Sequence, residues 1–165
     1  MNCRRKGAAP ITYRYGWRKN GTSTSETSNT ILAALTTKGD TWECIVTPLD
    51  GYDDGPPASA SATILNTAPT APGVSIAPAQ PGDGDDLVCN ITTPSTDADG
   101  DNVTYAYEWR QNGTVTGRST TTVPASATSV GEQWTCTVTP NDGTSSGAST
   151  SASAVVRGAA QCATP

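Results

Sequence analysis

The chain contains no histidine and no phenylalanine, and its one methionine is the first residue. Without histidine, Ser–His and Cys–His nucleophile arrangements are excluded. Without phenylalanine, a core must be assembled from Trp, Tyr, Val, Ile and Leu. Only 35% of the 165 residues are hydrophobic, so that core is thin, and thin cores usually need covalent help. Positive charge is scarce too: 10 Lys and Arg stand against 15 Asp and Glu, a net charge of −5. No basic patch exists to track phosphates, which argues against a nucleic-acid partner. No apolar run nears the ~20 residues of a membrane span. The start, where Cys3 is followed by Arg4, Arg5 and Lys6, does not read as a secretory signal. It reads as a processed or truncated start, or as part of a longer product. The five cysteines, Cys3, Cys44, Cys89, Cys136 and Cys162, show no C-x-x-C spacing. With no histidine beside them, they are a poor metal site.

What the chain does have is a second copy of half of itself. Residues 11–64 align with 103–156 at a constant offset of 92, without a gap, and 25 of the 54 aligned pairs are identical. Trp17, Asn20, Trp42, Cys44 and Pro48 answer Trp109, Asn112, Trp134, Cys136 and Pro140. A repeat of this length means two similar domains in tandem. The expected boundaries are a first domain over 1–65, a Pro- and Ala-rich linker over 66–72, a second domain over 73–157 and a tail over 158–165. The Pro spacing makes the linker extended and fairly stiff. Val103, Tyr105, Tyr107 and Trp109 alternate along one face of a strand. Asn112 and Gly113 then give a type I′ hairpin signal. Further strands are expected at 74–76, 86–91, 133–138 and 148–156. No segment has helical periodicity with caps, so the fold class is all-β.

At this point the residues reach a family. Cys89, Trp109 and Cys136 resemble the Cys…Trp…Cys framework of immunoglobulin-like sandwiches, in which a Trp packs against a disulfide between two sheets. Cys3, Trp17, Trp42 and Cys44 repeat that order in the first domain. Trp134, two residues before Cys136, looks like the tyrosine-corner position with Trp in place of Tyr. Segments 66–72, 97–101 and 134–143 look like the tandem Ig-like or PKD/cadherin-like repeats of large bacterial and archaeal surface proteins. The resemblance implies two tandem immunoglobulin-like β-sandwiches in an extended rod. It also implies disulfides Cys3–Cys44 and Cys89–Cys136, each closing a loop of about 40 to 50 residues, for roughly 3 to 4 kcal/mol. The other reading of these cysteines is reduced core thiols. Disulfides in turn imply an oxidising, extracellular or cell-surface location. Two departures limit the likeness. The 27 residues from Trp109 to Cys136 are too few for a variable-type domain. The Trp-Asp-Phe-Gly-Asp-Gly string of PKD domains is missing.

Four features compete for a site. Asp97, Asp99 and Asp101 alternate in a loop and can surround calcium with oxygens; Asp83, Asp85 and Asp86 stand upstream to add to them. The same loop also reads as an acidic surface turn. The first domain cannot share this site, because Cys3 precedes Trp17 by six fewer residues than Cys89 precedes Trp109. Asn20, Asn90, Asn102 and Asn112 head N-x-Thr sequons, which glycosylation can use in a secreted protein. Asn20 and Asn112 are already explained by hairpin turns. The Trp and Tyr residues matched between the repeats read as core rather than as a sugar-stacking platform, and Tyr52 is the unmatched exception. The carboxylates cluster in turns, which gives paired-acid catalysis little to stand on.

The first domain lacks residues for its opening strand, which leaves an edge for a strand from elsewhere. Head-to-tail stacking of copies, with Cys162 as an intermolecular or free thiol, is one expectation. Neighbouring repeats in a longer array are the other. The sequence thus reads as a non-catalytic extracellular structural module, either a surface stalk or a filament subunit. No cofactor is required, though calcium fits. The rival readings are an adhesin or carbohydrate-binding module contacting a surface glycan or protein, and an accessory domain of a phage or secreted enzyme.

Overall fold

The structure, a computed structural model, describes residues 10–158. Cys3, Cys162 and the pairings expected of them lie outside the described residues. The chain divides into two compact units, Met1–Asn66 and Thr67–Pro165. The described residues hold strands, turns and two single-turn 3₁₀ segments, Ala33–Leu35 and Ala125–Ala127. None of their helices is long and apolar enough to cross a membrane.

Unit 1 contains β1 (Thr12–Lys19), β2 (Thr22–Ser23), β3 (Thr41–Leu49) and β4 (Ala58–Thr63). They form one antiparallel sheet in the order β2-β1-β3-β4. The β1–β2 turn is built on Asn20 and Gly21 at φ 51° and 80°. A type I′ turn needs positive φ at both positions, which Asn and Gly tolerate best.

Unit 2 contains β5 (Gly73–Ala77), β6 (Leu87–Thr93), β7 (Thr104–Gln111), β8 (Thr114–Val115), β9 (Thr122–Val123), β10 (Gln133–Asn141) and β11 (Thr150–Val155). They form two antiparallel sheets, β5-β6-β9 and β11-β10-β7-β8. Asn112 and Gly113 repeat the type I′ geometry between β7 and β8, at φ 48° and 82°. Along β10, Trp134, Cys136, Val138 and Pro140 alternate inward and are buried. Cys89 on β6 and Cys136 on β10 form a disulfide that joins the two sheets. Trp109 on β7 stands opposite Cys136 in the ladder and is 0% exposed. Leu87, Val123, Val138 and Val156 complete the core. A cross-sheet disulfide with a buried Trp on the neighbouring strand is the immunoglobulin-like arrangement. The all-β, Ig-like expectation therefore holds, and unit 2 carries it in full.

Two differences from the sequence reading emerge. Residues from Thr67 onward, expected to form a linker, dock on unit 2. The Thr67 N–H donates to Asp99 Oδ2 at 2.7 Å, and the Thr70 N–H to the Thr96 carbonyl at 2.9 Å. Gly147 passes so close to this segment that a Cβ there would lie 2.1 Å from the Pro69 carbonyl oxygen. Secondly, the sequence comparison anticipates one absent strand in unit 1. The stretch that would answer β6 falls in residues 1–9, outside the described residues. Among the described residues, Thr30 and Ile31, which align with β9, form no strand.

Candidate functional site

The acidic loop between β6 and β7 is organised by Asp97. Its Oδ1 accepts the Asp99 N–H at 2.9 Å and the Asp101 N–H at 3.1 Å. Gly100 closes the turn at φ 79°, where a side chain would be strained. Asp97 Oδ2 is left buried with no hydrogen-bond partner. Carboxylate oxygens of Asp97, Asp101 and Asp142 lie within 4.8 Å of one another. Asp142 is held by its own turn, its Oδ1 accepting the Thr144 and Ser145 N–H groups at 2.6 Å. Three anionic oxygens this close repel one another unless a cation or protons intervene. An all-oxygen donor set suits a hard cation such as calcium.

The structure thus gathers two of the three expected aspartates and replaces the third. Asp99 turns to Thr67 instead. Asp85 accepts the Gly82 N–H and Asp86 the Ala125 N–H, so neither belongs to the cluster. Asp142 is the residue missed from sequence. Its motif, a turn after β10, signals only a strand end. What brings it to the loop is the β7–β10 register, which pairs Thr104 with Asn141. Its equivalent in unit 1, Asp50, has only the turn role. Asp53 and Tyr52 N–H groups, in that order, hold the Asp50 carboxyl below its ordinary value.

Asn20 and Asn112 have side chains committed to their turns. Asn20 Oδ1 accepts the Thr41 N–H and its Nδ2 donates to Asp40, while Asn112 Oδ1 accepts the Gln133 N–H. Asn90 and Asn102 are exposed.

Each unit packs its two indoles edge to face, at 6.3 Å in both cases. Trp17 Nε1 donates to the Ser28 carbonyl and Trp109 Nε1 to the Thr120 carbonyl, both at 2.8 Å. The second indole differs. Trp134 Nε1 donates to Glu132 Oε2 at 3.0 Å, whereas Trp42 Nε1 is buried without a partner. Asp40 stands where Glu132 does but is one methylene shorter, and Lys19 Nζ claims its Oδ2 at 2.7 Å. That Lys19 contact leads the causes holding the Asp40 carboxyl below its ordinary value. At Glu132, burial pushes upward, but the Ser129 N–H, the Trp134 indole and Gln111 outweigh it, and the net direction is down.

Cys44 is a half-buried free thiol; its expected mate Cys3 lies outside the described residues. Tyr13 is 59% exposed and Tyr52 67%. For Tyr13 this departs from the expected core role. Its counterpart Tyr105 is half-buried, with its hydroxyl accepting the Ser95 N–H at 2.8 Å.

No protein-family model matches the chain, and no curated protein matches it. Among solved structures it is similar to one titled "Structural basis for Dscam isoform specificity", with 14% identity and a TM-score of 0.38, over 90% of this chain and 38% of that one. It is also similar to the N-terminal four Ig domains of Dscam1 isoform 4.44, with 16% identity and a TM-score of 0.33, again over 90% and 38%. The FN1–FN3 domains of chicken CNTN1 give 13% identity and a TM-score of 0.38, over 91% of this chain and 58% of that one. The chain therefore spans less than two thirds of the length of each of these structures. At such values the likenesses carry no argument, and the Ig-like fold rests on the sheets, the disulfide and Trp109.

Proposed function

We propose that this chain is a non-catalytic structural module of tandem Ig-like units that works outside the cytoplasm, as part of a surface stalk or a head-to-tail filament. The observation that carries the reading is the Cys89–Cys136 bond buried between the sheets of unit 2, since such bonds persist in oxidising compartments. The lack of histidine supports a non-catalytic role. A specific observation adds calcium to the proposal. The buried, unpartnered Asp97 Oδ2, on a carboxylate that lies within 4.8 Å of those of Asp101 and Asp142, gives a cation a role in fixing the loop that also holds Thr67. A cross-link through Cys162 and glycans on the exposed Asn90 and Asn102 belong to the same extracellular reading.

The test is immunogold electron microscopy of producing cells with an antibody against unit 2, combined with thiol alkylation during lysis. The reading expects label on surface rods or filaments and no alkylation of Cys89 or Cys136. Cytoplasmic label with both thiols alkylated refutes it.

A further inference from the structure

We infer that the turn joining β3 and β4 of unit 1, with Arg14 beside it, is a binding site for a neutral saccharide. The inference goes beyond the structural role and holds wherever the chain works. It rests on two turns built on one frame. Residues 48–55 align with 140–147, and Pro48, Asp50, Gly51 and Gly55 answer Pro140, Asp142, Gly143 and Gly147. Asp50 Oδ1 accepts the Tyr52 and Asp53 N–H groups as Asp142 Oδ1 accepts those of Thr144 and Ser145. The Gly55 N–H donates to the Pro48 carbonyl at 2.8 Å, and the Gly147 N–H to that of Pro140 at 2.9 Å. Gly51 and Gly143 stand at φ 87° and 90°.

On this shared frame the outer side chains differ. Tyr52, Asp53 and Asp54 stand where unit 2 has Thr144, Ser145 and Ser146. Arg14 replaces Ala106, and its guanidinium pairs with Asp54. Unit 2 makes the same turn without these groups, so folding of the turn does not account for them. All four are exposed, Tyr52 by 67%. The space around them differs too. In unit 2 a Cβ on Gly147 would meet the Pro69 carbonyl oxygen first, whereas a Cβ on Gly55 would meet Pro48 first, at 2.8 Å. Beside Gly55 lies a recess of about 240 Å³, walled by the apolar Ile11, Pro48 and Leu49 and by Asp53 and Asp54. A second recess of about 210 Å³ lies against Tyr52 and shares Leu49, Asp53 and Asp54 with the first.

This mixture of groups selects the ligand. A sugar ring offers C–H groups on its faces, which suit an exposed phenol ring and an aliphatic wall. Its rim carries hydroxyls, which donate to carboxylates and accept from a guanidinium. The exposed Arg14–Asp54 pair is weak enough to share. Other ligands fit less well. Among the described residues, the acids close enough to hold a metal together are Asp97, Asp101 and Asp142, none of which is in this turn. An anion meets three carboxylates, Asp50, Asp53 and Asp54, against one guanidinium, and like charges repel. A purely apolar ligand would cover carboxylates and return no donor to them.

The experiment titrates the ¹⁵N-labelled full chain with hexasaccharides of glucose, mannose, galactose and N-acetylglucosamine, each to millimolar concentration. At least one should shift the amides of residues 49–55 to saturation. Tyr52→Ala and Asp53→Ala should each weaken that binding about tenfold or more, the loss of a ring contact or a charged hydrogen bond, at an unchanged melting temperature. Tyr52→Phe keeps the ring and should bind within about threefold of the parent. Thr144→Ala, at the matching place in unit 2, should bind as the parent does. Four results overturn the inference: no saturable shift at 49–55 with any of these sugars, a galacturonate hexamer bound as tightly as the best of them, an affinity unchanged by Tyr52→Ala, or an equal loss in Thr144→Ala.

Discussion

Replacing Cys89 and Cys136 together by alanine removes the cross-link between the two sheets of unit 2. The two cysteines are 47 residues apart. Loop-closure entropy for a ring of that size gives about 4 kcal/mol at room temperature. A small domain has only about 5–15 kcal/mol in all, so roughly a quarter or more of the stability of unit 2 is at stake. With a urea m-value of about 1–2 kcal/mol/M, the unfolding midpoint should fall by roughly 2–4 M. Urea titration followed by Trp emission and near-UV circular dichroism reads this directly, because Trp109 lies against the bond. Cys44→Ala is the comparison, and it should shift stability by less than about 1 kcal/mol, since the thiol is half-exposed and unbonded. A double-alanine chain within about 1 kcal/mol of the parent, at unchanged m, would refute the reasoning.

Three further outcomes follow from the geometry. Glu132→Asp copies the Asp40 arrangement into unit 2; it should lower the melting temperature and speed exchange of the Trp134 indole N–H in ¹⁵N spectra, and an unchanged indole signal counts against the acceptor role. Acid should destabilise the chain in a defined window. The Glu132 carboxyl lies below its ordinary 4.5 when folded, so its contribution is present above that value and fades as pH falls through the lower folded value; Glu132→Gln should flatten the acid limb of a melting curve. Calcium in the range of about 10⁻⁴–10⁻³ M should raise the melting temperature. Chelator should reverse that rise and Asp142→Asn abolish it, whereas a rise that survives Asp142→Asn places the ion elsewhere.

Local pattern made much of this fold legible. Tyr105, Tyr107 and Trp109 alternate because β7 is buried on one face only, and period two is visible in any half-buried strand. Asn112 and Gly113 marked the hairpin because few other residues accept positive φ in succession. The order of Cys89, Trp109 and Cys136 carried the sandwich. What escaped depends on register or on single atoms. Asp142 joins Asp97 from the far side of two strands, and only the pairing of Thr104 with Asn141 makes them neighbours. The segment from Thr67 read as a linker from its prolines, while its docking rests on backbone N–H groups that composition does not reveal. Trp42 and Trp134 look equivalent in the repeat, yet one methylene between Asp40 and Glu132 decides whether the indole N–H finds an acceptor. Tyr13 and Tyr105 match in the repeat, yet Tyr105 is half-buried and Tyr13 is exposed, so a match between repeats does not fix burial.

Among the described residues, Trp109, Cys136 and Val138 of unit 2 are fully buried, whereas the matching Trp17, Cys44 and Val46 of unit 1 are half-buried. Hydrogen–deuterium exchange on the intact, oxidised chain compares the two directly. Amides of β7 and β10 should exchange only through global opening of unit 2, while those of β1 and β3 should exchange far faster. Equal protection of both pairs of strands in the chain alone would contradict the account.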